Sequence, residues 1–269
     1  MTDISVFIVF HKEAAFAIPA LASMHRLVSV ARESGLRIEA RALLDNPDPQ
    51  TLDIVKQRGA WLDALDVVSC GDLGLTRNTG VDVASGEYLA FLDGDDLWGS
   101  QWLTRAFACS RDEPADTRSI WHPESLFYFH ESDYDRHSMN HLPHPLAQSF
   151  HFVHRASDEE GFDRNSLFLN NIWSANIFAH RSIYQRFPYK PVVKSMGLGI
   201  EDWTWNIETL WSDVAHRIVP DTVHIIRVKE MGSLGQSNAS EGLLPHMPEQ
   251  IFPIVGKHED HPLQADGTA

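Results

Sequence analysis

Residues 4–10, ISVFIVF, are apolar except for Ser5, and so short a run without alternation predicts a strand covered on both faces of a sheet. The spacing then becomes helical. Leu21, Met24, Leu27, Val28 and Ala31 recur every three or four positions between Pro19, suited to a first helical turn, and Gly35, a natural stop. The same alternation repeats: IEARALLD (38–45) is a second strand, TLDIVKQRG a short helix and LDVVSC (65–70) a third strand. LGLTRNTGVDVASG follows as a helix ending near Gly86, then YLAFLD (88–93) as a fourth strand. Strands separated by helices predict right-handed crossovers and a mainly parallel sheet, hence an α/β fold. Ligands of such sheets bind beyond the carboxyl ends of the strands. Asp45 and Asp93 fall at two of those ends.

After a helix around LWGSQWLTRAFACSRD the alternation breaks down. Residues 112–170 mix short strand-like pieces, SIWHP and LFYFH, with a histidine- and proline-rich stretch that has no period. Order returns with NIWSANIFAH, a short helix RSIYQRF, the loop PYKPVVKSMGLGI and the helix EDWTWNIETLWSD. In that helix Trp203, Ile207, Leu210, Trp211 and Val214 share one face, which predicts core. Two strand pieces, AHRIVP and TVHIIRVK, close the periodic part. The expected organisation is one domain in two halves, 1–111 and 112–236, with a Pro-, Gly- and Asp-rich tail over 237–269.

Composition bounds the function. A chain of 269 residues, 43% hydrophobic and 22% charged, can bury one substantial core. Its formal charge of -15 argues against a nucleic-acid backbone or an anionic membrane surface as the main partner. Cys70 and Cys109 are the only cysteines, too few for a disulfide scaffold or a cysteine zinc site. The apolar N-terminal stretch is too short for a signal peptide or a membrane span. No later stretch approaches eighteen uninterrupted apolar residues, so the expectation is a cytoplasmic protein without a transmembrane segment.

The chemistry concentrates at Asp93-Gly94-Asp95-Asp96. Unit charges about 4 Å apart repel by roughly 4 kcal/mol at an effective dielectric near 20. Asp-Gly alone is also a strong turn signal. A calcium hand is disfavoured, because position 12 counted from Asp93 is Thr104 and not a bidentate glutamate. The remaining reading is a divalent-cation site, since Mg²⁺ and Mn²⁺ bind through one or two carboxylates plus substrate phosphates. Seven of the fifteen histidines lie between 122 and 154; Pro143 and Pro145 stop His141 and His144 from sharing a regular helix. That region reads as an acceptor-side loop. Trp121, Phe127, Tyr128, Phe129 and Trp173 give it aromatic faces for a sugar or for the core.

GLTRNTGVDVASGEYLAFLDGDDLW places Arg77-Asn78, Gly80, Ala84, Gly86, Glu87 and the carboxylates in one order over about 25 residues. The run resembles the nucleotide-sugar signature of glycosyltransferase family 2, with its GT-A fold. In that family Arg-Asn-x-Gly and Ala-x-Gly-Glu-Tyr precede Phe-Leu-Asp-x-Asp-Asp. The resemblance implies a nucleotide-sugar half at 1–111 and an acceptor and catalytic-base half at 112–236. It implies Asp95 as the principal ligand of Mn²⁺ or Mg²⁺, Asp93 on the ribose or in the metal sphere with Gly94 beside the donor, and Asp96 as a ligand or a supporting group. Asp45 would face the nucleobase, with uracil favoured and guanine and thymine open. Arg77 would meet the pyrophosphate or Asp93, and Asn78 the donor. The Glu201-Asp202 pair after a glycine-rich loop matches the family's base, with Asp202 taking the proton and Glu201 an acceptor contact or structural. RVKEMGSLGQS resembles the closing segment, placing Arg227 or Lys229 over the diphosphate and Ser233 beside it. His224 would be a further metal ligand or an ordinary sheet histidine. Two departures stand out: His11-Lys12-Glu13 replaces Pro-x-Tyr-Asn, and Asn46 replaces a second aspartate.

The implied activity is inverting transfer of a sugar from a nucleoside-diphosphate donor to a glycan or glycolipid hydroxyl. A sugar nucleotidyltransferase is disfavoured because FHKEAAFAIPA contains no glycine. A non-catalytic nucleotide- or glycan-binding module leaves Glu201-Asp202 unexplained.

Overall fold

A computed structural model describes residues 2–113, 118–137, 144–229 and 234–248. The alternating half folds as its pattern predicts: β1 (Thr2–Phe10), α1 (Ala17–Glu33), β2 (Ile38–Asp45), α2 (Pro49–Arg58), β3 (Ala64–Val68), α3 (Leu73–Val83) and β4 (Gly86–Asp93). A two-residue strand β5 (Leu97–Trp98) and α4 (Trp102–Arg111) complete it. The second half contributes β6 (Ile120–His130), β7 (Phe150–Val153), β8 (Phe178–His180), α5 (Arg181–Arg186), β9 (Leu198–Gly199), α6 (Glu201–Trp211) and β10 (His216–Val228). The last described elements are α7 (Leu234–Ser240) and β11 (Leu244–Pro245).

Both halves share one nine-stranded sheet, ordered β3-β2-β1-β4-β8-β6-β10-β5, with β7 paired to β6. The long strands β3, β2, β1, β4, β6 and β10 are parallel, while β5, β7 and β8 run against them. The carboxyl ends of β1, β2, β4, β6 and β10 therefore open on one edge, where the acidic residues stand. Helices α1 and α4 pack on one face around Phe10, Leu27, Trp102 and Phe178. Helices α3, α5 and α6 cover the other around Phe7, Phe91, Tyr184 and Trp205. α1 with the turn before it is apolar and long enough to resemble a membrane span, yet it buries Leu21, Met24, Leu27 and Val28 in this core.

Three elements differ from the sequence expectation. SIWHP and LFYFH are not separate pieces but one strand, β6. AHRIVP and TVHIIRVK likewise form one strand, β10, interrupted by a bulge between Val219 and Val223. An internal bulge lets one strand carry two hydrophobic registers, which reads as two strands in the pattern. The tail expected from residue 237 begins inside α7, and β11 pairs with β9, so its described part to residue 248 is folded.

Behind β6 and β10 lies a buried histidine cluster. His122, His154 and His216 are 0%, 4% and 0% exposed. Thr209 Oγ1 donates to Trp205 O, so it accepts from His216 Nε2 at 2.9 Å. His216 Nδ1 then accepts from His122 Nε2 at 2.9 Å. His154 Nδ1 donates to Pro123 O at 2.5 Å. Trp173 stacks on His216 with centroids 4.1 Å apart, and it is core, as is Trp121.

Candidate active site

The three carboxylates after β4 separate into three environments. Asp93 accepts from Arg77 Nη2 at 2.6 Å, and the other arm of the same guanidinium donates to Glu201 Oε1 at 3.0 Å. Arg77 therefore bridges the end of β4 to the first turn of α6. Its side chain is 1% exposed and lies over the Tyr189 ring, 5.5 Å from the centroid. α3 approaches closely enough because Gly80 has no Cβ; one there would meet Leu43 and Phe91 at 2.8 and 2.9 Å. Burial opposes the charge on Arg77, but Asp93 and Glu201 more than restore it and raise its pKa. Burial pushes Glu201 the other way, up to about 7, with the Asp202 charge adding to the rise and Arg77 opposing it.

Asn78 is spent on the same region: its Nδ2 donates to Tyr189 O and its Oδ1 accepts from Tyr189 N, both at 2.9 Å. Of the alternatives for Arg77, the structure displays the pairing with Asp93 and leaves no exposed guanidinium face for a diphosphate. It likewise gives Asn78 a bracing contact in place of a donor contact. Gly94 also has a packing reason, since a Cβ would stand 2.4 Å from Phe10 Cδ1 and 2.6 Å from Val9 O. Replacing Arg77 with methionine leaves Asp93 and buried Glu201 without their shared cation. The expected loss is about 3–5 kcal/mol of folding stability, measured by urea unfolding; a loss below about 1 kcal/mol would show that the clamp holds nothing together.

Asp95 is the more open of the pair that follows, and its Oδ2 meets Lys229 Nζ at 2.6 Å. Arg227 Nε donates to Asp95 O at 3.3 Å. Both cations lie over the Phe16 ring, at 4.9 and 4.7 Å from its centroid. Asp96 is buried; its Oδ2 accepts from His224 Nε2 at 3.1 Å and its Oδ1 from Arg227 N at 3.1 Å. Burial pushes Asp96 up to about 6, against the pull of His224. His224 Nδ1 is buried and has no hydrogen-bond partner among the described residues. Among those residues no three His, Cys, Asp or Glu side chains converge to cage a metal unaided. Ser233 and His141 lie outside the described residues.

At the end of β2, Asp45 Oδ1 accepts from Cys70 N at 2.7 Å, Gly71 N at 3.1 Å and Asn46 Nδ2 at 3.0 Å. Its Oδ2 makes no such contact to the described residues. His11 Nδ1 donates to Asp45 O at 2.6 Å, so the residue that departs from the usual opening motif ties β1 to β2 beside Asp45.

Across the cleft, Ile200 precedes α6 with φ +58°, a conformation that costs a β-branched residue energy and is tolerated where the surroundings impose it. This turn presents Glu201 inward to Arg77 and leaves Asp202 part-exposed. Asp202 Oδ2 accepts from Asn171 Nδ2 at 2.9 Å, and its Oδ1 accepts from Trp203 N at 2.8 Å. Asn206 Nδ2 donates to Asn171 Oδ1 at 3.0 Å and holds it in place. Burial raises the Asp202 pKa, and Arg77 together with the helix N–H opposes the rise. The result is a fixed, part-exposed carboxylate of elevated basicity. Asn171, Asn206, Tyr189 and Phe16 carried no sequence signal, because each acts through a partner distant in the chain.

Comparison with known proteins follows from this geometry. No curated protein matches the chain. Among solved structures, S. aureus TarS 1–349 in complex with UDP superposes with a TM-score of 0.56 at 17% identity, covering 84% of this chain and 61% of that one. Its complex with UDP-GlcNAc gives 0.53 at 15% identity, covering 88% and 61%. The mannosyltransferase PcManGT from Pyrobaculum calidifontis, in complex with GDP-Man and Mn²⁺, gives 0.56 at 15% identity, covering 86% and 58%. The chain thus spans about three-fifths of the length of these neighbours, and the likeness is one of fold. The sequence itself matches the model of Glycosyl transferase family 2 over residues 5–162, more than half its length. With a GT-A sheet whose carboxyl edge carries Asp45, Asp93–Asp96 and, opposite them, Glu201-Asp202, the chain belongs to glycosyltransferase family 2.

Proposed function

We propose that the enzyme transfers a sugar, with inversion, from a nucleoside-diphosphate donor to a hydroxyl of a glycan or glycolipid, with Asp202 as general base. The observation that carries this reading is the carboxylate of Asp202, fixed by Asn171 and the α6 N-terminus and close enough to Asp93 to feel its charge. Asp202 takes the acceptor proton as the hydroxyl oxygen attacks the anomeric carbon from the face opposite the diphosphate, and that direction of attack inverts the centre. Glu201, engaged by Arg77, positions the turn and does not take the proton. A UDP-sugar is favoured, since Asp45 Oδ2 has no partner among the described residues and suits the N3–H of uracil. The neighbours' complexes with UDP, UDP-GlcNAc and GDP-Man support a nucleotide sugar as the donor class. The unpaired Cys70 and Cys109 support a cytoplasmic location.

The donor set suits a hard divalent ion: Asp95 and Asp96 are adjacent carboxylates at the strand edge, and Asp96 is oriented by His224 Nε2. Asp95 and Asp96 would hold Mn²⁺ or Mg²⁺, with His224 supporting Asp96 from behind. Such an ion, when bound, neutralises charge accumulating on the diphosphate as the sugar bond breaks. Lys229 and Arg227, at the same edge, supply two further positive charges for the leaving group.

The test is donor hydrolysis with UDP-, GDP- and dTDP-sugars and Mn²⁺, read as nucleoside-diphosphate release. EDTA and, separately, Asp95→Ala are each expected to lower release by about two orders of magnitude. Release that persists under both would remove the metal from the mechanism.

A further inference from the structure

Strand β7 is exposed at every residue and pairs with β6 in the register Tyr128↔Phe150 and Leu126↔Phe152. β6 in turn pairs with β10 through Leu126↔His224 and Tyr128↔Ile226. Alternate residues of a strand share a face, so Tyr128, Phe150, Phe152 and His224 lie on one side of this sheet extension. His224 is the residue bound to Asp96. The rings of Tyr128 and Phe150 stack with centroids 4.4 Å apart and planes 14° from parallel. Phe150 is 55% and Phe152 37% exposed. Burial pushes the Tyr128 hydroxyl up to about 12, and the charges of Asp202 and Asp96 add to the rise, as expected where both carboxylates face it.

An edge strand with exposed aromatic rings invites association and is normally blunted with charge. Here it is instead held rigid. Asp133 Oδ2 accepts from Gln148 N and Ser149 N at 2.8 and 2.6 Å, and its Oδ1 from Arg136 at 2.8 Å, tying the end of β6 to the start of β7. Exposed apolar surface on a rigid frame marks a binding site.

We propose that the open face of Phe150, backed by the stacked ring of Tyr128 and with Phe152 beside it, forms the platform on which a pyranose ring of the acceptor lies. The proposal rests on the glycosyl-transfer reading above and names the surface that holds its acceptor. A pyranose offers a face of axial C–H bonds to an aromatic ring while its hydroxyls project from the rim. Tyr128, whose hydroxyl feels the charges of Asp96 and Asp202, links this platform to the carboxylate edge. An acyl chain gains nothing from the carboxylates near Tyr128, and a net charge of -15 disfavours an anionic lipid surface.

The experiment is saturation-transfer NMR on the full chain, irradiating protein aromatic protons in the presence of methyl glucoside, galactoside, mannoside and N-acetylglucosaminide in both anomeric forms. Saturation is expected at the ring C–H protons of at least one glycoside. Phe150→Ala is expected to weaken that binding about tenfold, and Phe150→Tyr to keep it. Unchanged affinity in Phe150→Ala, or no glycoside receiving saturation from the wild type, overturns the platform. So does loss, in Phe150→Ala, of co-sedimentation with phosphatidylethanolamine–phosphatidylglycerol vesicles in the absence of any sugar signal. Donor hydrolysis by the wild type is read separately. A protein that hydrolyses donor but binds no glycoside fails the platform alone, and one that binds glycoside but releases no diphosphate fails the transferase mechanism alone.

Discussion

Asp202→Asn is expected to lower kcat for transfer by about 10²- to 10⁴-fold, the usual contribution of a positioned general base. The substitution is close to isosteric. An asparagine oxygen still accepts from Asn171 or from Trp203 N, so the α6 turn and donor binding persist while the proton acceptor is lost. The pH profile separates this from a structural defect. Asp202 acts ionised, and burial raises its pKa, so the wild-type rate falls on acidification at a higher pH than an ordinary carboxylate would give. Glu201, pushed up to about 7, titrates with it as a pair, and the acid limb belongs to both. Each single variant keeps one titrating group, so the acid limb is expected to shift in both, and only Asp202→Asn is expected to lose the plateau rate above it. Full transfer activity in Asp202→Asn would refute the base assignment.

The second large effect is on stability. His122, His154 and His216 are held neutral: burial lowers His154 to about 4 and His216 to about 3, and His122 falls well below its ordinary value with the neighbouring imidazoles adding to the drop. A histidine depressed in the folded state is protonated more readily when unfolded. Its stabilising contribution is therefore complete above about pH 6.5 and is lost as the pH falls below that value. At pH 5 the loss is about 2 kcal/mol each for His154 and His216. Glu201 and Asp96, raised by burial, bind protons more readily when folded and offset part of this between pH 7 and 5. A difference measurement cancels that offset. Between pH 7 and 5, the stability of His122→Phe/His216→Phe is expected to gain on the wild type by at least about 2 kcal/mol, the share of His216, in urea unfolding. Parallel pH dependences in the two proteins would mean that these histidines carry no linked proton.

The alternating half was legible because each of its strands and helices has a clean period and a local stop. Strand 38–45 and the position of Asp93 at a strand end are read directly from that pattern. The second half was not. β6 and β10 owe their order to pairing with each other across about a hundred residues, and the bulge in β10 hides its continuity. The site divides the same way. DGDD and EDW are visible as residue clusters, but which carboxylate does what depends on partners. Arg77 reaches Glu201 over 124 positions and His224 reaches Asp96 over 128.

The sequence by itself determined the residue types and their order: a parallel sheet with carboxylates at strand ends, and a family signature specific enough to name. Only the tertiary structure decided the surroundings. Packing buried Arg77 between Asp93 and Glu201, spent Asn78 on the Tyr189 backbone and turned Glu201 inward while Asp202 stays part-exposed. Chain order stores which charges exist. Their pKa values, exposure and reach are set by desolvation and by neighbours that only folding brings together.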